Sequence, residues 1–295
     1  MFIQTRGEKV FDVFNMIIMI LMCLTILIPF YFVLTGSVVT QSEYLNSNGF
    51  VLFPKDFTFE AYVTFFTGSY GVFRAYGISI MRVAVGTGLN VLVSCMLAYV
   101  ISKKWLPGRN VLMTIIFVTM NFSAGIIPSY MVVNGLGLMN TFWAMILPCM
   151  IGSFYVVVLR NFFSMLPESL EESAYIDGAN ELTILFRIVI PLSKASIATI
   201  ALFYAVMHWN SWFDASIYIN NENLYPLQLV LKKIVIQQDF QTNSLMGAAL
   251  VATRRASSFA LKNTAILYTT LPILCVYPFV QKYFVKGMMI GSIKG

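Results

Sequence analysis

The sequence predicts an all-α polytopic membrane protein, and composition, hydropathy and the spacing of apolar residues support that prediction. Of the 295 residues, 58% are hydrophobic and only 11% are charged, and the mean hydropathy is +0.77. A soluble domain carries about 25% charged residues, so lipid is the principal solvent of this chain. The apolar residues are gathered in stretches of about 20, the length with which an α-helix crosses a bilayer.

Six apolar stretches are long enough to be membrane-spanning helices. In chain order they cover approximately residues 13–34, 83–101, 111–133, 138–159, 195–217 and 265–285. Arg82 immediately precedes the second stretch, and polar residues between His208 and Asp214 interrupt the fifth. The first stretch is too long for a signal peptide and is interpreted as a retained span. No internal repeat or flexible linker is evident, so residues 1–295 are expected to form one transmembrane domain.

The connections between the stretches orient the bundle through their charges. The link between the second and third stretches carries Lys103, Lys104 and Arg109, whereas the link between the third and fourth has no charged residue. Lys and Arg are enriched in the cytoplasmic loops of membrane proteins. The first of these links is therefore expected inside, and an even number of spans then leaves both termini in the cytoplasm. Basic residues near the two ends agree: Arg6, Lys9, Lys282, Lys286 and Lys294.

The net charge of +6 and the four cysteines indicate neither a nucleic-acid partner nor a metal site. The basic residues lie beside apolar stretches, where they act as topology signals, so no nucleic acid is expected to bind. Each cysteine falls in a different stretch and is expected to be a buried packing residue rather than a ligand or a disulfide partner: Cys23, Cys95, Cys149 and Cys275.

The segment 160–194, between the fourth and fifth stretches, predicts a helical hairpin on the cytoplasmic side. Pro167 suits the first turn of a helix, and Gly178 lets the chain leave that helix with positive φ. Asn180 can cap a second helix that begins at Glu181, which Pro191 must end or kink. Three carboxylates favour the positive end of the first helix dipole: Glu168, Glu171 and Glu172.

The same segment resembles the coupling loop of ABC-importer permeases, whose pattern is Glu-Ala-Ala-x3-Gly-x9-Ile-x-Leu-Pro. Here Glu172-Ser173-Ala174, Gly178 and Ile188-Val189-Ile190-Pro191 stand at the same intervals, with Ser173 in place of Ala and Ile190 in place of Leu. The resemblance implies that this hairpin docks on a separate ATPase. The coupling residues that it implies are Glu171, Glu172, Ser173, Ala174, Asp177, Gly178, Ala179, Asn180 and Pro191. An amphipathic helix resting on the membrane surface is the alternative interpretation.

Three further stretches are similar to the short, six-helix branch of maltose-type carbohydrate-uptake permeases: Trp209-Asn210, residues 223–227, and the tail from Gln281 to the terminal GSIKG. That resemblance implies a heterodimer with a second permease subunit in the bacterial cytoplasmic (inner) membrane. It also implies two ABC ATPase subunits, which bind ATP and Mg, an extracytoplasmic solute-binding protein and an oligosaccharide substrate.

This chain itself is expected to bind no cofactor and to carry no catalytic residue. It contains no GxxxxGK[ST] phosphate loop and no HExxH motif, and its one histidine has no nucleophile or carboxylate beside it in a catalytic arrangement.

Polar and aromatic residues within the stretches are candidates for the substrate pathway. Aromatic faces and planar hydrogen-bonding groups suit sugars, and a kink near Pro128 would open a polar pocket. The candidates are Asn121, Ser123, Tyr204, His208, Asn210 and Trp212. Interfacial anchoring belts and interhelical hydrogen bonds are the competing explanations.

Arg254 and Arg255, in a segment expected outside, raise the hypothesis of an acidic cargo. Arginine binds carboxylates bidentately, which suits a uronate-containing oligosaccharide. Docking to an acidic lobe of the binding protein, or no partner beyond water, would equally account for them. Three other functions stay open: an importer of a non-sugar solute, a proton-coupled secondary transporter, and a scaffold or membrane enzyme.

Overall fold

The computed structural model describes residues 6–47, 51–68, 71–243 and 258–292. In these ranges the chain is helical apart from turns, loops and one isolated antiparallel bridge between Val39 and Phe57. The predicted all-α class is confirmed.

The described helices are numbered in chain order. They are α1 (Arg6–Ser37), α2 (Gln41–Asn46), α3 (Glu60–Thr67), α4 (Val72–Ser102), α5 (Arg109–Asn121), α6 (Ile126–Gly135), α7 (Ser153–Phe163), α8 (Glu168–Ile176), α9 (Glu181–Ile184), α10 (Ile190–Leu192), α11 (Lys194–Asn210), α12 (Phe213–Tyr218), α13 (Leu227–Asn243) and α14 (Ser258–Ser292). Three 3₁₀ turns accompany them (Phe142–Met145, Leu147–Cys149 and Glu222–Leu224), together with one π-helical turn (Leu185–Val189).

Three described helices are long and apolar enough to cross a membrane unaided: Gly7–Ser37, Val72–Ser102 and Phe259–Pro278. Three bent pairs also meet the length and composition of a span: Arg109–Asn121 with Ile126–Gly135 (116°), Phe142–Cys149 with Ser153–Phe163 (53°), and Glu181–Leu192 with Lys194–Asn210 (87°). The described residues therefore supply three spans, or up to six if each bent pair is one span. The six-span topology stays a prediction.

The helices within the stretches predicted as spans at 111–133, 138–159 and 195–217 are broken. The break in the first of these lies at residues 122–125, where Gly125 has a φ of 84°, rather than at Pro128. Pro128 occupies the first turn of α6, where its missing N–H leaves no helical hydrogen bond unmade. Apolar composition alone does not distinguish a straight helix from a bent pair.

The second span begins earlier than predicted, so Arg82 lies inside it. The helix α4 starts at Val72 and runs for 31 residues, and Arg82 is only 1% exposed. A charged side chain in such a position requires a partner within the protein. Asp214 supplies that partner.

The chain divides into two compact units, the first made of Met1–Tyr70 and Leu231–Pro272. Its described part contains aromatic contacts: the rings of Tyr44 and Phe259 stack with their centroids 3.9 Å apart. In contrast, the most apolar part of α1 is not buried against any described part of the chain. A helix in that state has its side chains free to contact lipid or a partner.

The second unit comprises Gly71–Val230 and Ile273–Gly295. Its main core lies among α4, α7 and α11, and Ile184, Leu185 and Val189 are buried in the same cluster. The segment 160–194 is thus anchored in the core by its second half.

The cysteines differ from the expectation of burial. Only Cys95 is buried, whereas the described residues leave Cys23, Cys149 and Cys275 exposed. All four are free thiols.

Candidate functional site

The first half of the hairpin is a short acidic helix that ends in a glycine turn. The helix α8 follows Pro167, and its first turn contains Glu168 and Glu171. Gly178 has a φ of 80°, as predicted. The Ala179 N–H donates to the Ala174 carbonyl at 2.9 Å and the Gly178 N–H donates to the Tyr175 carbonyl at 3.0 Å. These two bonds form a Schellman motif, which satisfies the free carbonyls at the helix end.

The second half begins at the predicted cap and ends at the predicted proline. Asn180 accepts a hydrogen bond from the Thr183 backbone N–H at 2.8 Å, and α9 begins at Glu181. Pro191 lies in the first turn of α10, and the helical segment Glu181–Leu192 meets Lys194–Asn210 at 87°. The local chemistry therefore builds the hairpin that the sequence predicts.

Side chains at the end of α4 bind both halves of the hairpin. Lys103 forms an ion pair with Glu171, and its Nζ lies 4.1 Å from the centre of the Tyr99 ring. The Tyr99 hydroxyl donates to Glu181 at 2.6 Å, and the Tyr175 hydroxyl donates to the other oxygen of that carboxylate at 2.5 Å. We call Tyr99, Lys103, Glu171 and Glu181 the hairpin joint.

A second ion pair, between Lys104 and Glu168, lies beside the hairpin joint in a different environment. Its atoms are 2.6 Å apart, yet the two side chains are 79% and 69% exposed. The hydrogen bond and the charge of Lys104 hold the pKa of Glu168 below its ordinary value. Water and salt screen an exposed pair, so its contribution to stability is small.

The hairpin also presents an exposed surface in which apolar and acidic side chains are mixed. Ile176, Leu182 and Phe186 are exposed, and Ile176 is 87% accessible. Glu172 and Asp177 are exposed beside them. Exposed apolar residues among acids are typical of a protein-docking surface rather than of a lipid-facing one.

The nine predicted coupling residues occupy three environments. Those that are exposed are Glu172, Ser173, Asp177, Gly178 and Asn180, and those of intermediate burial are Glu171, Ala179 and Pro191. Ala174 is only 8% exposed and packs in the core cluster with Ile184 and Leu185. Its small side chain permits close approach within this chain, not at the outer surface of the hairpin.

The substrate-pathway candidates do not share one environment. Tyr204 and His208 are buried. The Tyr204 hydroxyl bonds Ser94 at 2.8 Å and accepts the Gly152 N–H at 2.9 Å, while His208 packs against Gly86. These contacts are those of helix packing.

The remaining candidates are nearer the surface. Asn121 and Asn210 are exposed, and each donates to a carbonyl four residues earlier in its own helix, at 2.8 and 3.0 Å. Ser123 is also exposed and accepts the Gly125 N–H at 3.3 Å, and Trp212 is of intermediate burial. A contact with substrate stays a prediction for these residues, and Arg254 and Arg255 lie outside the described residues.

The sequence interpretation missed a polar cluster around Arg82. Besides its ion pair with Asp214, Arg82 donates to the carbonyls of Met145 at 3.1 Å and Ser211 at 3.3 Å. Asn90 donates to the Cys149 carbonyl at 2.9 Å. These side chains satisfy irregular backbone beside a bent span, which the bilayer would leave unpaired. An arginine immediately before the second predicted span and an aspartate within the fifth were the available signal.

Comparison with protein families gives one match over most of the chain. The model of the binding-protein-dependent transport system inner membrane component matches residues 90–290, which include the whole hairpin.

Two curated relatives from Bacillus subtilis (strain 168) match nearly end to end. Protein LplC is 43% identical over 99% of this chain and 97% of its own length. The polygalacturonan/rhamnogalacturonan transport system permease protein YtcP is 38% identical over 98% of this chain and 99% of its own length.

A solved structure has the same fold over the same extent. It is a chain of a bacterial ABC transporter involved in the import of the acidic polysaccharide alginate. The TM-score is 0.85 at 29% sequence identity, over 96% of this chain and 100% of that chain.

Proposed function

This chain belongs to the family of binding-protein-dependent transport system inner membrane components, and from that premise we propose that it is one permease subunit of an ATP-driven oligosaccharide importer. It pairs with a second permease subunit and receives solute from an extracytoplasmic solute-binding protein. Two ABC ATPase subunits bind ATP and Mg and supply the work. This chain contributes alternating access and no catalysis of its own.

The observation that carries the ATPase partnership is the hairpin of α8 and α9. It is folded by its own caps, anchored in the core through Ile184 and exposed at Ile176. A partner that binds the exposed surface around Ile176 can therefore move the half of the hairpin that is anchored through Ile184. The contacts of Lys103 and Lys104 with α8 support a cytoplasmic hairpin and cytoplasmic termini, because these two lysines mark the inner side.

The proposed cargo is an acidic oligosaccharide. YtcP is named for polygalacturonan and rhamnogalacturonan, and the structural relative imports the acidic polysaccharide alginate. Both names describe polymers that contain uronic acids. Transport of a neutral oligosaccharide or of a non-sugar solute would leave the importer intact and remove only this assignment.

The test is uptake into proteoliposomes that contain this chain with its companion permease, ATPase and solute-binding subunits. We expect ATP-dependent uptake of trigalacturonate that exceeds uptake of the neutral trisaccharide maltotriose, and that survives a proton ionophore. Uptake without the ATPase subunits, or its collapse with the ionophore, would contradict the importer. Equal uptake of the two trisaccharides would contradict the acidic cargo.

A further inference from the structure

The backbone connections on either side of the hairpin are not continuous helices, so they transmit its displacement to the bundle poorly. Residues 164–167, which precede α8, are not α-helical. On the other side, Ser193 separates Glu181–Leu192 from Lys194–Asn210, and the two segments meet at 87°. A helix transmits displacement along its axis as a rigid body, whereas a turn absorbs it in backbone torsions. Neither flank therefore offers a straight helix along which the hairpin can push.

The hairpin joint offers a different route, because it links positions that are distant in sequence. Lys103 and Glu171 are 68 residues apart, and Tyr99 and Glu181 are 82 residues apart. One contact holds α8 and the other holds α9, so both halves of the hairpin are bound to the last turn of α4 and the residue after it.

Burial favours a fixed geometry at the joint. Tyr99 is 3% exposed, and the side chains of Lys103 and Glu171 are 8% and 21% exposed. Charges that are partly removed from water interact more strongly and are less screened by salt than exposed ones. The Tyr99 ring further restrains the ammonium group through its π face.

The helix that receives these contacts is long and well connected. The 31 residues of α4 span about 46 Å at the rise of an α-helix. Along that length it binds α11 through Ser94 and Tyr204. Motion that enters α4 at its end therefore reaches the core of this unit.

We propose that Tyr99, Lys103, Glu171 and Glu181 are positioning residues that carry movement of the hairpin directly into α4. This inference rests on the proposed function, since it names the route by which an ATPase would act on this chain. The four residues touch neither solute nor nucleotide. Their role is to keep the hairpin and α4 moving as one body.

The experiment compares two neighbouring lysines that each pair with a glutamate of α8. Lys103→Gln opens the buried pair, and Lys104→Gln opens the exposed one as the matched control. Each variant is assembled with the companion subunits in proteoliposomes, and trigalacturonate uptake and ATP hydrolysis are measured together. Pull-down of the ATPase confirms assembly.

We expect Lys103→Gln to lower uptake per ATP hydrolysed by about 2- to 30-fold, the range that residues along an energetic coupling route produce. Its hydrolysis without solute continues, and Lys104→Gln matches the parent. Tyr99→Phe, which removes one hydroxyl and keeps the ring, is the second variant and should lower the same ratio in a complex of normal yield.

The outcomes separate the two proposals. A parent complex without ATP-driven uptake would overturn the proposed function together with this inference. A parent that transports, with Lys103→Gln and Tyr99→Phe both transporting as many molecules per ATP as the parent, would overturn the inference alone. Equal losses in Lys103→Gln and Lys104→Gln would also overturn it, because a general charge effect would then explain both.

Discussion

Two ion pairs connect α4 to other parts of the chain, and they differ in what they fix. Arg82–Asp214 lies within the helix bundle, and Arg82 also binds two backbone carbonyls of irregular segments. Lys103–Glu171 lies just beyond the end of α4 and holds a projecting hairpin. The first pair holds backbone that cannot satisfy itself, while the second holds a folded element that has its own caps.

The choice of cation in each pair matches that difference. The guanidinium of Arg82 is a rigid fork whose several donors suit simultaneous bonds to one carboxylate and two carbonyls. The ammonium of Lys103 is a compact charge on a flexible stem, and it meets one carboxylate and one aromatic face. The junction at Arg82 and the hairpin joint therefore use the two basic residues differently.

The largest effect is expected from breaking the Arg82–Asp214 pair. Arg82→Met leaves the Asp214 carboxylate without its counterion and should destabilise the protein by about 3–5 kcal/mol, which is typical for removing one partner of a buried pair. Thermal unfolding in detergent measures it, with Arg74→Met, an exposed arginine of the same helix, as the control. Equal stability of the two variants would show that the Arg82–Asp214 pair does not stabilise the bundle as described.

Two glycines, one in the helix bundle and one in the hairpin, test the same comparison through stability losses of intermediate size. A Cβ on Gly86 would lie 2.5 Å from the His208 ring, whereas one on Gly178 meets nothing within 4 Å but requires a residue at a φ of 80°. Gly86→Ala should lose about 1–3 kcal/mol of stability through overpacking. Gly178→Ala should lose about 1 kcal/mol through its left-handed backbone.

The two alanine variants should differ in which property they change as well as in how much stability they lose. Melting temperature is expected to fall most for Gly86→Ala, while uptake per ATP is expected to fall most for Gly178→Ala. Gly178→Asn should restore part of the loss, because asparagine tolerates positive φ. The reverse order for either measurement would contradict the division between a packed core and a projecting hairpin.

The smallest effect is expected at the cap of α9. Asn180→Ala removes the acceptor of the Thr183 N–H and should cost about 1 kcal/mol, confined to the start of that helix. Hydrogen exchange of the amides of residues 181–184 should quicken while global unfolding stays unchanged. Asn180→Asp, which keeps an acceptor oxygen, should exchange at the parent rate, and faster exchange in both variants would argue against the cap.

The hairpin could be predicted in detail because its rules are local. Gly178, Asn180 and Pro191 each act through the backbone within a few residues, so their spacing was sufficient to predict turn, cap and bend. The bent spans could not be predicted in this way. The broken backbone near Cys149 and Gly152 is satisfied by Asn90 and Tyr204, which lie more than fifty residues away in sequence.

Arg82 illustrates the same limit. Its partner Asp214 is 132 residues away, so the residue looked like a boundary when only its neighbours were considered. The functional role of the hairpin rested on resemblance rather than on local rules, and so did the expectation of an oligosaccharide. The hairpin joint was missed because its two contacts between α4 and the hairpin join residues 68 and 82 positions apart in sequence.

The first helix has a consequence for the membrane itself. The 31 residues from Gly7 to Ser37 measure about 46 Å, while the hydrocarbon layer is only about 30 Å thick. Because the described residues do not bury the most apolar part of α1, packing does not set its angle, and the excess length is taken up by tilting or by extending its charged first turns into the headgroup layer. Bilayers built from shorter or longer acyl chains should therefore change the inclination of α1 more than that of the helices packed in the core.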